Sequence, residues 1–389
     1  MSIAKALEAI TEADLQSLIQ GAVPESKVIE YKVGLPTSSL EDRKEFLADV
    51  SSFANSAGGD LLFGVQEDKG VPTAIRGLAA IDVDGEMSRL QNMLRDGLEP
   101  RLPGVHLHAV PTVSGPVILI RIARSWVSPH RVTLNHRFFA RNSNGKYPLD
   151  VGELRVAFGL TESAAERIRS FRVDRLARIV GGTAPVPLPP WGKLVLHLVP
   201  FGAFTGGTEI DVAALYETDR SRLTPTPGMG VDSRFNFEGV VAYETLRHQP
   251  RRHSQAYLQV FRSGAIERTS CELTEPRENG ARLLYEEFDR VLVAQTKRLL
   301  GIQVAAGVEP PVVVMLSLVD AKGYFFQPVL GSVPLDRDIL AIPEVVLDDI
   351  GCDVRALAGL LRSTLDTVWQ SFGYLRSTSY DAEGNPNFL

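Results

Sequence analysis

Glu25-Ser-Lys-Val-Ile-Glu30-Tyr-Lys32 is the stretch on which the reading of this 389-residue chain turns. Lys27 to Val33 alternates as a strand does. Positions two apart on a strand share a face, so Glu30 and Lys32 point together while Tyr31 packs on the other side. A carboxylate beside an ammonium suits phosphodiester cleavage: the acid holds Mg²⁺ or Mn²⁺, the metal lowers the pKa of a bound water, and the ammonium stabilises charge building on the phosphate. The same letters also describe an exposed strand edge guarded by alternating charge. Glu25 faces away from the pair on a straight strand, and a bend after Pro24 brings it round.

Outward from this stretch the chain alternates helix and strand. Ala13 to Ile19 reads as a short helix, with Thr11 and Asp14 spaced for capping. Leu40 to Ser56 reads as a long one: Ser39 and Asp42 supply N-terminal acceptors, and Leu40, Phe46, Leu47, Val50 and Phe53 supply an apolar stripe. Asn55 braces the turn into Gly58-Gly59 or reaches a bound nucleotide. Leu61 to Val65, apolar on both faces, reads as a central strand. A helix over Met87 to Leu98, strands over Val117–Ile122 and Arg137–Arg141, and a helix over Val151–Ile179 broken near Thr161 complete an α+β layout.

The prolines of residues 181–192 favour extended chain and mark a linker. The expected domains are therefore 1–180 and 193–389. The second carries strand-like runs at Lys193–Val199, Gly239–Tyr243, Tyr257–Phe261 and Val312–Val319, with helices at Leu283–Leu300 and Val354–Phe372, which reads as an α/β or α+β domain. His248 to His253 reads as a solvated loop.

The net charge of -6 hides an uneven distribution. Residues 1–100 carry 9 Lys and Arg against 17 Asp and Glu, whereas residues 101–180 carry 13 against 5. That local excess, with Arg121, Arg124, Arg131, Arg137, Arg141 and Lys146 on strand ends and loops, is the footprint of a nucleic-acid contact. Arg167, Arg169, Arg172, Arg175 and Arg178 read as a helix surface pairing with Glu162 and Glu166. The two cysteines, Cys271 and Cys352, have no nearby ligand partner and support neither a disulfide framework nor a zinc site. Met1 to Gln20, with four charges, lacks the apolar core of a signal peptide, and no run is long enough to cross a bilayer. A cytoplasmic protein without a membrane partner is expected.

Four blocks in order resemble the AlbA-type domain of the Schlafen family. They are Glu25 to Lys32, Val50-Ser-Ser-Phe-Ala-Asn-Ser-Ala-Gly-Gly59, Leu61-Leu-Phe-Gly-Val-Gln-Glu67-Asp68, and Phe138-Phe-Ala-Arg141-Asn-Ser143. The resemblance spans about residues 10–160 and implies a Schlafen AlbA-like α+β domain. In nuclease members the two glutamates of the first block and the acid after the third form a metal-binding triad that cuts transfer and ribosomal RNA. Carried over, the triad is Glu25, Glu30 and Glu67, with Lys32 assisting the transition state. The third position is usually aspartate, so Asp68 competes with Glu67.

The resemblance thus implies a Mg²⁺- or Mn²⁺-dependent endoribonuclease acting on structured RNA such as tRNA. Other members are described as DNA-binding regulators, which gives a second expectation: a non-catalytic DNA- or RNA-binding regulator with a C-terminal sensor domain. Some members are described as ATP-binding, but the chain contains no G-x4-G-K-[ST] loop. Vertebrate members pair two related lobes, whereas this chain has one motif set, which predicts a homodimer.

Overall fold

The computed structural model describes residues 3, 5, 7–79, 81–102, 104–143, 145–204, 209–244, 253–276, 282–285, 287–327, 331–381 and 383–388. Residues 248–252 of the expected loop lie outside them. The chain divides into two compact units, Met1–Ser163 and Ala164–Leu389.

The first unit runs α1 (Glu12–Gln20), β1 (Ile29–Lys32), α2 (Leu40–Ala54), β2 (Gly59–Phe63), β3 (Val65–Asp68), β4 (Val71–Ile75), α3 (Val83–Gly97), β5 (Leu98–Glu99), β6 (Val105–Val110), β7 (Val117–Ile122), β8 (Arg131–Val132), β9 (Arg137–Asn142) and β10 (Gly145–Pro148). Its main sheet has the order β1-β2-β7-β6 and a second has β10-β9-β8-β5; β3 and β4 form a hairpin. β1 pairs parallel with β2, setting Glu30 opposite Leu61 and Lys32 opposite Phe63.

Alternation along β2 explains its central place. Leu61 and Phe63 join Phe46, Val50 and Phe53 of α2 in one core, while Leu62 joins Leu15, Ile29 and Tyr31 in another on the opposite face. Caps fix both helices: Asp42 N–H donates to Ser39 Oγ at 3.1 Å, and Thr11 N–H to Asp14 at 2.8 Å. Gly58 lies at φ +74°, where a Cβ would stand 2.7 Å from the Ile122 carbonyl, so the turn into β2 requires glycine.

α4 (Val151–Val180) is one continuous helix, without the break expected near Thr161. Threonine's helix penalty, below about 1 kcal/mol, is too small to interrupt it. From Ala164 onward this helix belongs to the second unit.

That unit continues through β11 (Lys193–Pro200), α5 (Val212–Asp219), β12 (Val231–Asn236), β13 (Gly239–Glu244), β14 (Ala256–Phe261), β15 (Ile266–Ser270), β16 (Thr274–Pro276), β17 (Arg282–Tyr285), α6 (Phe288–Ala305), β18 (Val312–Val319), β19 (Tyr324–Gln327), β20 (Ile339–Ala341), β21 (Val345–Leu347) and α7 (Val354–Ser371). An antiparallel sheet in the order β12-β13-β14-β15-β11-β18-β20, with β21 also on β18, packs Leu196, Leu198 and Val314 against Leu292 and Leu299 of α6 and Leu361 and Trp369 of α7. Both units are therefore α+β.

The division differs from the expected boundary. Residues 181–192 are not a free linker: Val186 is buried against Val241 and Tyr257, Ser254 N–H donates to the Pro187 carbonyl, and Gly192 N–H to Tyr324 Oη. The stretch holds a turn and bends and no regular element, and an irregular chain with apolar side chains can lie along a sheet as readily as cross solvent.

Candidate functional site

The site is built on the face of β1 that carries Glu30 and Lys32. α2 covers that face, and its spacing places Asp49 in the same stripe as Phe46, Val50 and Phe53. Asp49 is consequently buried among apolar neighbours with a carboxyl to satisfy. β9 and β10 complete the cluster, since their register sets Lys146 opposite Arg141.

Six charged groups interlock there. Lys32 Nζ lies 2.6 Å from Glu30 Oε1 and 3.7 Å from Asp49. Lys146 Nζ lies 2.6 Å from Asp49 Oδ1 and also pairs with Glu45. Arg141 holds the other Glu30 oxygen, donates to the Ser26 carbonyl, and stacks over Phe53 at 4.2 Å. Arg141 is buried, whereas the side chains of Lys32 and Lys146 are 34% and 20% exposed. The cluster is thus buried at Arg141 and partly open to solvent along two lysine side chains.

Burial opposes ionisation of Glu30, but the adjoining Arg141 and Lys32 charges outweigh it and hold its carboxyl below the usual range. Asp49 goes the other way: burial, then the charge of Glu30, push its carboxyl up to about 6 despite Lys146 and Lys32. Burial works against the Lys32 ammonium, yet Asp49 and Glu30 raise its pKa above the ordinary lysine value. Sequence reading did not single out Asp49. Its signal was an acid inside an apolar helical stripe, a position that demands a buried partner.

Glu25 sits beside the β3–β4 turn. Its N–H donates to the Gly70 carbonyl at 2.6 Å and its Oε1 accepts from Tyr31 N–H at 3.0 Å. Burial raises its pKa, and the charges of Glu30 and Glu67 add to that. Glu67 accepts from Gly70 N–H in the same turn, while Asp68 is exposed. Glu25 therefore lies within electrostatic reach of both Glu30 and Glu67, but the three carboxylates do not form a metal-holding group. Glu30 is held on both oxygens by cations, and among the described residues no group of three Asp, Glu, His or Cys is placed to hold a metal ion. As arranged, the donor set does not fit a three-carboxylate metal site.

Most of the expected basic strip has internal partners. Arg121 bonds the buried Asp60 carboxylate at 2.8 Å and the carbonyls of Ile3 and Lys5, so it clamps the N-terminal segment to β7. Arg131 pairs with Glu99, and burial lowers the pKa of Arg124. Arg137 is exposed at the start of β9. Arg169, Arg172, Arg175 and Arg178 pair with Glu344, Glu238 and Glu267 rather than with Glu162 or Glu166. Asn55 braces the fold: its amide donates to the carbonyls of His130 and Phe139, and its Oδ1 accepts from His130 N–H at 2.6 Å.

These features belong to an α+β protein whose first unit carries a charge cluster between β1, α2 and β10. Residues 25–150 match the family model described as Schlafen, AlbA_2, a span that contains β1 through β10 and every residue of the cluster. Among solved structures, the DIP2311 protein of Corynebacterium diphtheriae is 18% identical with a TM-score of 0.26, over 36% of this chain and 26% of that one. The N-terminal domain of a protein related to the ATP-dependent DNA helicase RecG, from Nitrosomonas europaea, is 23% identical with a TM-score of 0.24, over 30% of this chain and 74% of that one. The chain thus spans about a quarter of the first structure's length. No curated protein matches the chain. Among the described residues no helix is long and apolar enough to cross a membrane.

Proposed function

We propose that the first unit binds nucleic acid through its phosphates, with Lys32 and Lys146 as the contacting cations. One observation carries this reading: two lysine side chains from different strands meet at Asp49 and stay partly open to solvent. Buried carboxylates hold their positions, so little side-chain entropy remains to be lost on meeting a phosphate. The match to the Schlafen AlbA_2 family supports the same partner class. Structured RNA is the proposed target, with DNA the alternative.

The test is binding of labelled tRNA and duplex DNA across a salt series. Lys32→Gln and Lys146→Gln should weaken binding to both and reduce the salt slope by about 0.7 to 0.9 for each phosphate no longer neutralised. Unchanged affinity and slope in both variants, with folding intact by circular dichroism, would refute the assignment.

Metal-dependent cleavage of RNA is the second reading, favoured by Glu25, whose carboxyl is raised in part by Glu30 and Glu67. Mg²⁺ or Mn²⁺ there requires Arg141 and Lys32 to release Glu30. Incubation of the protein with tRNA and Mn²⁺ decides it: cleavage abolished in Glu30→Gln and Glu67→Gln supports this reading, and equal cleavage by wild type and variants removes it.

A further inference from the structure

The large sheet of the second unit ends on β12, and among the described residues no strand pairs with its outer side. Every second residue of such an edge turns its N–H and C=O outward, which makes the edge a template for another strand unless something blocks it. Two of the usual blocks are missing from Val231-Asp-Ser-Arg-Phe-Asn236, which contains no proline and pairs with β13 without a bulge, and its two charges, Asp232 and Arg234, are of opposite sign. Large apolar groups cluster there instead. Phe237 at the hairpin tip is 97% exposed, Met229 is 51% and Phe235 is 49%.

This edge is complementary to itself. Two copies paired antiparallel about a two-fold axis at Ser233 place Asp232 of each opposite Arg234 of the other, and Val231 of each opposite Phe235. Beyond the ends of the strand, Met229 of each copy approaches Phe237 of the other. Because alternate residues share a face, both ion pairs fall on one side of the joined sheet and the two Val231–Phe235 pairs on the other.

The local structure accommodates this pairing. Val231, Ser233 and Met229 line an open cavity of about 500 Å³, which gives room on the side where the second copy's Phe235 arrives. Phe235 is itself oriented by edge-on packing against Tyr216 at 5.2 Å. Arg234 donates through Nη2 to the Pro185 carbonyl at 2.7 Å, which steadies the guanidinium and leaves its other N–H groups for a carboxylate.

We propose that β12 is a self-association surface and that its partner is a second copy of this chain, joined through the Ser233-centred antiparallel register. The inference is independent of the nucleic-acid reading, and it gives the homodimer expected from the sequence a defined contact. A symmetric contact repeats each interaction twice, so one charge reversal creates two like-charge pairs.

Sedimentation equilibrium on the full chain tests it with wild type, Asp232→Arg, Arg234→Asp and the double exchange. The wild type should dimerise at micromolar concentration. Each single reversal should weaken the dimer by about tenfold or more, and the double exchange should return it to within about threefold of wild type. The double variant lacks the same Pro185 hydrogen bond as Arg234→Asp, so its recovery reports the interface rather than the fold. A monomeric wild type overturns the proposal. So do single reversals that leave the dimer intact, or a double variant no better than the singles.

Discussion

Each unit buries a cluster of carboxylates and cations, and the two clusters are finished differently. In the second unit Glu267 is fully buried: Arg175 donates to both of its oxygens at 2.7 Å, Tyr257 Oη donates at 2.7 Å, and His197 Nε2 lies 2.9 Å away. Burial opposes its charge, but the Arg175 hydrogen bonds prevail and hold its carboxyl down at about 2. Arg175 also bonds Glu238 and faces the Phe261 ring, so the cluster bolts the end of α4 to the sheet. In the first unit the cations outnumber what Glu30 needs, two of them reach solvent, and Asp49 is left under-compensated near 6. A closed network whose carboxylate is held on both oxygens keeps structure, whereas an open one with a group titrating near neutrality can respond to a ligand.

The contrast predicts that damage to the closed cluster costs the most. Glu267→Gln leaves Arg175 buried with one carboxylate fewer, and the loss expected is about 3–5 kcal/mol. Urea denaturation followed by tryptophan fluorescence measures it. The pH signature follows from the sign of the shift: a lowered carboxyl stabilises the fold above its ordinary pKa and loses that contribution as pH falls through about 2. A loss below about 1 kcal/mol in Glu267→Gln would mean that α4 is held by its apolar contacts instead.

Asn55→Ala ranks next. It removes an acceptor from His130 N–H and two donors from the carbonyls of His130 and Phe139, and should cost about 1–3 kcal/mol by the same measurement. Nucleic-acid binding per molecule of folded protein should stay near the wild-type value. A selective loss of binding at full stability would reinstate Asn55 as a nucleotide contact.

Local patterning carried the β1–α2–β2 core into view, because capping and the stripe of Phe46, Val50 and Phe53 depend on neighbours within one or two turns. What escaped depends on partners distant in sequence. Arg121 looked like a phosphate contact because a count of charges cannot reveal that Asp60 stands opposite it on β2. The proline-rich stretch looked like a linker because composition reports extension, not what Val186 lies against. Glu30 and Lys32 do share one face, yet the acid that joins them is Asp49, from the helix above them, rather than Glu67 or Asp68 on β3. Residue spacing shows which side chains share a surface, and only the packing of α2 on β1 shows which surface faces it.

The smallest expected effect bears most directly on the difference between the clusters. A carboxyl raised in the fold contributes stability that is fully present below its ordinary value of 3.8 and is lost as pH rises through about 6. With Asp49 ionised, Glu30, Glu45 and Asp49 balance Lys32, Arg141 and Lys146; once Asp49 is protonated the cluster gains one positive charge beside its two partly exposed lysines. Phosphate binding should therefore tighten as pH falls through about 6. One added charge at contact range in high dielectric is worth about 1 kcal/mol, or roughly fivefold in affinity. Asp49→Asn fixes that position as neutral, so its affinity should equal the low-pH wild type and stay flat across the window. Fluorescence anisotropy with one RNA at constant ionic strength measures both curves. If the variant keeps the wild-type pH dependence, the titrating group lies elsewhere and the first cluster is as inert as the second.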